Sequence, residues 1–575
     1  MPITKSRQIA KLLKLDGTVK DSLYDSDAIV TSAQLGVAAA AGTTVYSSAD
    51  TLPTSATNGD QALVSSTNRL YIYSNGGWYN IALINTTPYW SSEANSSYDL
   101  STTGAVTTIT MLAVDSEGVP ITYTATPDSN FNQFATVSKD SDNGRTFTVT
   151  PTDSENGTAT SATGTITFKA SDGVNFVSTL STFSITFAPV WDSDNLVSSQ
   201  QKLYSSDIAA GDILGYNVKM DELGTYALAT AEAENSGAGA AYVFVKNDSD
   251  VWSQQQKLVA SDRESNDSYG IDADLSRNGE YAIIGAYEED SGTGVDLGSA
   301  YIYSRSGSTW TQQQKIQASD KTQGDYFGAG VAINSDGTWA VVGAIFEDTG
   351  ATDAGAAYTF SRSGSTWTQR QKIQGVTSNT PRFGQCAALD SDASCMLIGA
   401  TEESQSGTNS GAVYSYTRSG NTFTFQQKLA SSDLAANDYF GSRVRITPDG
   451  LYCIIGARGE NNQGAAYVFN RDSEGASWTQ QQKLVPASRS DGGLFGFHVD
   501  ISSDATIAIV AQTVTDPKAV IFTRDGSTWT EQTSINTSVR NTVDISGNGR
   551  HIIVGDYHDS TNGSQAGAVY FFKSG

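Results

Sequence analysis

Short runs in which apolar residues alternate with small or polar ones, bounded by Gly, Asn, Asp or Ser, follow one another through most of this chain. Between positions 327 and 373 they read FGAGVAI, TWAVVGA, GAAYTFS and WTQRQKI. Alternation with period two, rich in Val, Ile, Tyr and Trp, predicts β-strands rather than helices. NSDG between the first two runs and RSGST between the last two predict tight hairpin turns. The same grammar recurs. SRSGSTWTQQQK at 304–315 returns as SRSGSTWTQRQK at 361–372. Aligned on its last residue, the pattern falls at Lys202, Lys257, Lys315, Lys372, Lys428, Lys483 and, degenerately, Ser534, with spacings of 55, 58, 57, 56, 55 and 51. A period of this length predicts a solenoid, an array or a propeller.

Four strands per repeat select the propeller, because seven such blades can close without leaving a long exposed edge. The two ends support closure. The last unit stops after GAVYFFKSG, 567–575, without an outer strand, and a spare one, SSQQKLY, precedes the first unit. Ser198–Tyr204 is therefore expected beside Ala568–Phe572. Trp252, Trp310, Trp367, Phe423, Trp478 and Trp529 recur at one position and are expected as a ring of aromatics wedged between blades. Ahead of the repeats, ITYTATP, RTFTVTP, TGTITFKASDG and STFSITFAP predict a β-sandwich. Residues 46–85 predict a three-stranded meander with turns at Thr67-Asn68 and Asn75–Gly77; it is too small to bury a core alone, so it docks or trimerises. Lys5–Lys14 predicts a short helix with Ile9, Leu12 and Leu13 on one side. The expected fold class is all-β: a helix and meander in 1–87, a sandwich in 88–190 and a seven-bladed propeller in 191–575.

Composition narrows the function classes. With 61 Asp and Glu against 35 Lys and Arg, the net charge is −26, and no basic stripe suits nucleic acid. Cys386, Cys395 and Cys453 fit no zinc spacing and read as buried or free thiols. No apolar run approaches the length that spans a bilayer, and the N-terminal residues have no apolar core of a signal peptide. The reading is a chain made in the cytoplasm.

FG at 327–328, 383–384, 440–441 and 495–496, followed by V/I-G-A and GA-x-Y-x-F/Y, resembles the FG-GAP repeat of integrin-α-type propellers. That family's calcium loops are replaced by NSDG, TPDG and SRNG, too short to wrap an ion, so calcium binding does not carry over. TRDGSTW, Thr523–Trp529, resembles the sialidase Asp-box, a fold-stabilising turn. The sandwich is similar to bacterial Ig-like or cadherin-like modules, which usually act as spacers. NGDQALV with NRLYIYSNGGWYNIALIN resembles N-terminal modules of virion structural and tail-fibre-like proteins of marine tailed bacteriophages.

Connections between strands two and three, and between successive blades, share one face, and acidic residues collect there. Candidate ligand-binding residues on that face are Tyr269, Glu288, Glu289, Asp290, Asp325, Tyr326, Glu347, Asp348, Glu402, Glu403, Asp438, Tyr439 and Glu460. Carboxylates accept sugar hydroxyls, tyrosines stack, and a divalent cation could bridge to anionic sugars; no cofactor is required. Because Ser198–Tyr204 runs toward the loop face, the sandwich is expected to join on the tight-turn side. No catalytic residues are assigned: His498, His551 and His558 lack a nucleophile motif nearby, and a glycosidase would need two acids meeting across the central channel. The expected function is a phage virion structural protein, a fibre-like exterior appendage. Its N-terminus would dock on virion proteins, with a homotrimer as one option. Its propeller would bind a host-surface glycan or protein. The alternatives are a bacterial surface adhesin exported by a non-classical route and a capsule-degrading glycosidase.

Overall fold

Alternation does not describe the middle strands of each unit, which are apolar on both sides. All six residues of Trp339–Ala344 are buried, as are the first six of Ala356–Ser363. A strand covered on both faces needs no polar side. The outer strand Thr366–Gln374 keeps its alternation because only one face is covered.

The computed structural model describes residues 44–574, apart from 67–68, 82–85, 101–105, 117–119, 142–143, 152–160, 187–188, 190, 291–295, 350–352, 376–381 and 537–540. The helix expected at Lys5–Lys14 and the turn expected at Thr67-Asn68 lie outside the described residues. The chain forms two compact units, Met1–Ala188 and Pro189–Gly575.

The first unit contains two sheet systems. Thr44–Tyr46, Gln61–Val64, Arg69–Ser74 and Gly77–Ile81 form a four-stranded sheet. Its last three strands are the expected meander, and Thr44–Tyr46 adds a parallel edge. Asn75 and Gly76, with φ of 47° and 87°, make its second turn. Further along, a three-stranded sheet (Thr107–Thr110, Ala135–Lys139, Thr146–Pro151) and a four-stranded one (Ser97–Leu100, Thr122–Pro127, Ser161–Ser171, Phe176–Thr186) share one core around Phe131, Phe147, Phe168 and Phe183. Two sheets over one core make the expected sandwich.

The second unit holds seven four-stranded sheets in succession. Sheets 1 to 6 span 218–258, 269–316, 327–374, 383–429, 440–484 and 499–536. Sheet 7 joins Asn541–Ile545, His551–Asp556 and Ala568–Lys573 to Gln201–Leu203. The innermost strands touch in a closed circle, from Val218–Met220 round to Asn541–Ile545 and back, so the fold is propeller-like. Closure is by Gln201↔Phe571, Lys202↔Tyr570 and Leu203↔Val569. The closing strand is shorter than expected. Ser193–Ser199 is a helix, started by the Asn195 N–H donating to Asp192 Oδ1 at 2.7 Å. Trp191 is buried on the tight-turn side, where its indole donates to Gly549 O at 3.0 Å.

The repeated WTQQQK peptide is the mortar between sheets. Each outer hairpin carries a bulge, placed between Ile302 and Tyr303 in sheet 2, which leaves Gln313 without a cross-strand partner. Gln313 Oε1 accepts the Trp367 indole of sheet 3 at 2.8 Å, and Gln314 exchanges two hydrogen bonds with the Trp367 backbone at 2.8 and 3.0 Å. Gln312 caps the incoming connection by accepting from Ser261 N at 3.0 Å. The two-bond clamp recurs at Gln256–Trp310, Gln371–Phe423, Gln427–Trp478 and Gln482–Trp529. The six aromatic residues are buried between sheets, as expected.

Candidate functional site

After the second strand of every sheet but the sixth the chain reads two variable residues and then an acid. The acid turns inward. Glu289, Glu347, Glu403 and Glu460 are at most 3% exposed. Lys315 Nζ lies 2.5 Å from Glu289 and 2.6 Å from Asp262 of the incoming connection; Lys372 lies 2.7 Å from both Glu347 and Asp320. Lys483 joins Glu460 to Asp433 in the same way, and Lys428 pairs with Glu403. Sheet 6 has lost both partners together, with Thr515 and Ser534 in their places. These four acids therefore hold the sheet to its own connections and are not free for a ligand, contrary to their assignment as recognition residues. Burial alone would raise the Glu347 carboxyl, but hydrogen bonds from Lys372 and Thr349 overcome it and hold it below the ordinary value.

Asp325 and Asp438 are also enclosed. They accept the Thr322 and Ala435 N–H groups at 2.6 Å and order the connection into the next sheet. Burial raises both carboxyls. Tyr269 occupies the Phe position of the FG pair, is fully buried, and donates its hydroxyl to that of Tyr303 at 2.9 Å, so it belongs to the core. Asp290 and Asp348 are exposed and cap their own loops through Asp296 N and Asp353 N, both at 2.7 Å.

Glu288, Tyr326, Glu402 and Tyr439 remain, half-buried around the mouth of the ring on the loop face. The two variable positions, and the residues flanking FG, bring others beside them. Tyr557 and Tyr216 meet at 5.3 Å, and the Tyr216 hydroxyl is pushed up to about 12, by burial first and then by Glu232 and Tyr557. Tyr287 contacts Tyr326 at 5.2 Å, and Tyr326 meets Phe346 edge-on at 5.3 Å. The Arg382 Cζ is 5.5 Å from the centre of the Phe346 ring, and its Nε is 2.9 Å from Glu402. The Arg458 Cζ lies 4.9 Å from the Tyr439 ring and 6.0 Å from Phe497. The mouth is thus an aromatic circle, acidic near Glu232 and Glu288 and basic near Arg382 and Arg458. Sequence reading missed most of it, although the signal was present: after the repeated G-A, the acid is constant and the two residues before it vary.

Below the mouth, the axis is filled by side chains that cap the inner strands. Asp272, Asp274, Asp500 and Asp544 accept backbone N–H groups of Val331, Ile333, Ile545 and Met220 at 2.7–3.0 Å. An inner strand has no neighbour on its axial side, so these carboxylates supply the missing acceptors. Burial raises all four carboxyls, that of Asp544 to about 6. On the tight-turn face Arg277 crosses between sheets, donating to Glu222 at 3.1 Å and Ser503 at 2.7 Å. Among the described residues, no three His, Cys, Asp or Glu side chains gather to hold a metal ion, and no helix is long and apolar enough to cross a membrane.

The FG-GAP repeat family model matches residues 252–303, 310–360 and 423–469. This is an FG-GAP-type repeat protein. Each match begins in the outer strand of one sheet and ends in the third strand of the next, so the FG-GAP repeat spans the clamp between neighbours. No curated protein matches the chain. Similar crystal structures include two provisionally assigned 6-phosphogluconolactonases. The one from Bacteroides uniformis is 9% identical, with 67% of this chain and 95% of that one covered and a TM-score of 0.42. The one from Bacteroides fragilis is 12% identical, with 65% and 92% covered and a TM-score of 0.42.

Proposed function

We propose that this chain is a virion structural protein of a tailed bacteriophage, a fibre-like appendage whose seven-bladed propeller binds a host-surface glycan. The observation that supports recognition is the division of labour within the FG-GAP repeat. Letters that recur are spent on clamps, caps and ion pairs, whereas those that vary collect at one mouth as tyrosines in mutual contact, carboxylates and guanidinium groups. Aromatic faces with flanking carboxylates suit the apolar faces and hydroxyls of sugar rings. The virion assignment rests on the resemblance of residues 46–85 to phage N-terminal modules.

Two measurements test the reading. Tagged protein should co-purify with intact particles at constant stoichiometry, and deleting residues 1–87 should abolish incorporation; undiminished incorporation would remove the docking role. On a glycan array the whole chain should bind, and Tyr326→Ala with Glu288→Gln should weaken binding about ten-fold or more. Binding indifferent to both changes would move recognition off the mouth.

A further inference from the structure

The basic side of the mouth contains more guanidinium than the chain balances. Arg382 is engaged by Glu402 at 2.9 Å, and Arg443 lies 3.7 Å from Asp272. Arg458 has neither a hydrogen bond nor an ion pair among the described residues; its guanidinium lies against the Tyr439 and Phe497 rings. A ring over a guanidinium face leaves the in-plane N–H donors available. Burial lowers the Arg458 pKa; Tyr439 and Glu402 oppose that shift, while Arg443 and Arg382 add to it. Half-burying a cation without a paired counter-ion is costly, yet among the described residues no carboxylate lies within ion-pair distance of this one, and Glu402, already held by Arg382, acts on it only from farther away.

The donors have somewhere to point. A cavity of about 420 Å³ opens beside Arg458, lined also by Tyr439, Asn437, Asn461, Asn462, Leu494 and Asp438, whose buried carboxylate is already occupied by the Ala435 N–H at 2.6 Å. Three amides and a phenol offer neutral hydrogen bonds, and Leu494 an apolar wall. Across the mouth, Glu232 and Glu288 keep densely anionic polymers away.

We propose that this cavity is an anion subsite, in which Arg458 receives the carboxylate of an acidic sugar while the surrounding amides take its hydroxyls. The assignment deepens the glycan-recognition reading and rests on it. Arginine matches a carboxylate in a planar, two-bond geometry, and the ring above holds the fork still.

The test uses the whole chain with trigalacturonate and with its methyl ester, which keeps the sugars and removes the charge. Trigalacturonate should bind, the ester about ten-fold more weakly or worse, and Arg458→Gln should erase that difference. Raising salt from about 50 to about 500 mM should weaken only the acid form. A thermal melt establishes that Arg458→Gln is folded. If it is not, ligand-induced shifts of the unsubstituted protein's melting temperature decide: a shift with the acid and none with the ester supports the subsite. Equal binding of acid and ester overturns it, as does a sulfated galactose oligomer binding as well as the uronate. Array binding confined to neutral glycans and lost in Tyr326→Ala would overturn the subsite and leave recognition standing. Binding of no glycan at all would sink both.

Discussion

Lys372 sits between two carboxylates of unequal exposure: 44% of the Asp320 side chain is exposed, against 5% of the Glu347 side chain. The exposed partner can hydrate itself if the lysine is lost; the buried one cannot. Lys372→Met should therefore cost about 1–3 kcal/mol of stability, mostly the penalty of an unpaired buried carboxylate, and adding Glu347→Gln should restore much of it. The pH dependence follows from Glu347. In the native protein its folded pKa is depressed, so the pair's contribution is present above the unfolded value and lost as pH falls through the folded one. In the variant, burial without the lysine raises the same carboxyl. The stability gap measured by urea denaturation should be widest near neutral pH and narrow toward pH 4; a gap independent of pH would show that packing, not charge, is what Lys372 supplies. The same residues show why the site was only partly legible. A loop rich in Glu and Asp can be read from composition, but which carboxylate turns inward depends on a lysine some 25 residues away. Glu288 and Glu289 are neighbours with opposite fates, one at the mouth and one under the sheet.

At the scale of the element, the FG and G-A halves of the repeat meet across the gap between sheets. Gly328 has φ of 106°, a conformation that side chains resist, and the next sheet's Gly384 has φ of 96°. A Cβ on Gly343 would lie 1.9 Å from Gly384 O, and one on Gly285 would lie 2.0 Å from Gly328 O. Both obstacles are backbone and cannot rotate aside. Gly343→Ala should therefore destabilise the protein by about 1–3 kcal/mol through forced separation of sheets 3 and 4, whereas Gly364→Ala, with open space around its Cβ, pays only for its left-handed backbone. Melting temperatures of the two variants compare the costs, and a smaller loss in Gly343→Ala than in Gly364→Ala would contradict the close approach. These strands were readable because Val, Ile and Ala runs buried on both sides leave no helical period, and because Ser-Gly and Asp-Gly place the turns. Thr44–Tyr46 and Ser193–Ser199 were not. Three residues carry no period, and seven give a helix too little pattern to outweigh the strand-like QQK that follows.

For the molecule as a whole, stability depends on a ring closed by three residues. Gln201–Leu203 pairs with Ala568–Lys573 on one side, and on the other Gln201 accepts from Trp252 N at 2.9 Å and donates to Asp250 O at 2.6 Å. Lys202 adds an ion pair to Asp559 at 2.6 Å, and Phe571 stacks on Trp252 at 4.2 Å, so sheet 7 is fastened to sheet 1 by the chain's earliest repeat strand. The other junctions join units adjacent in sequence and re-form locally; this one must bring together strands more than 360 residues apart, and its loop-closure entropy is the largest in the fold. Ending the chain after Gly567 removes Val569, Phe571 and Phe572, all buried. It also leaves Gln201–Leu203 and His551–Asp556 as open edges. Burial of three such side chains corresponds to a loss of at least about 10 °C in melting temperature. The manner of unfolding should change as well. A closed ring opens as one cooperative unit, whereas an opened one can fray from sheets 1 and 7 while sheets 3 to 5 persist. Calorimetry of the truncated chain should show a broadened or split transition, and limited proteolysis should cut first near 199–204. A single sharp transition at the original temperature would mean that neighbouring sheets hold the ring without its closing strand.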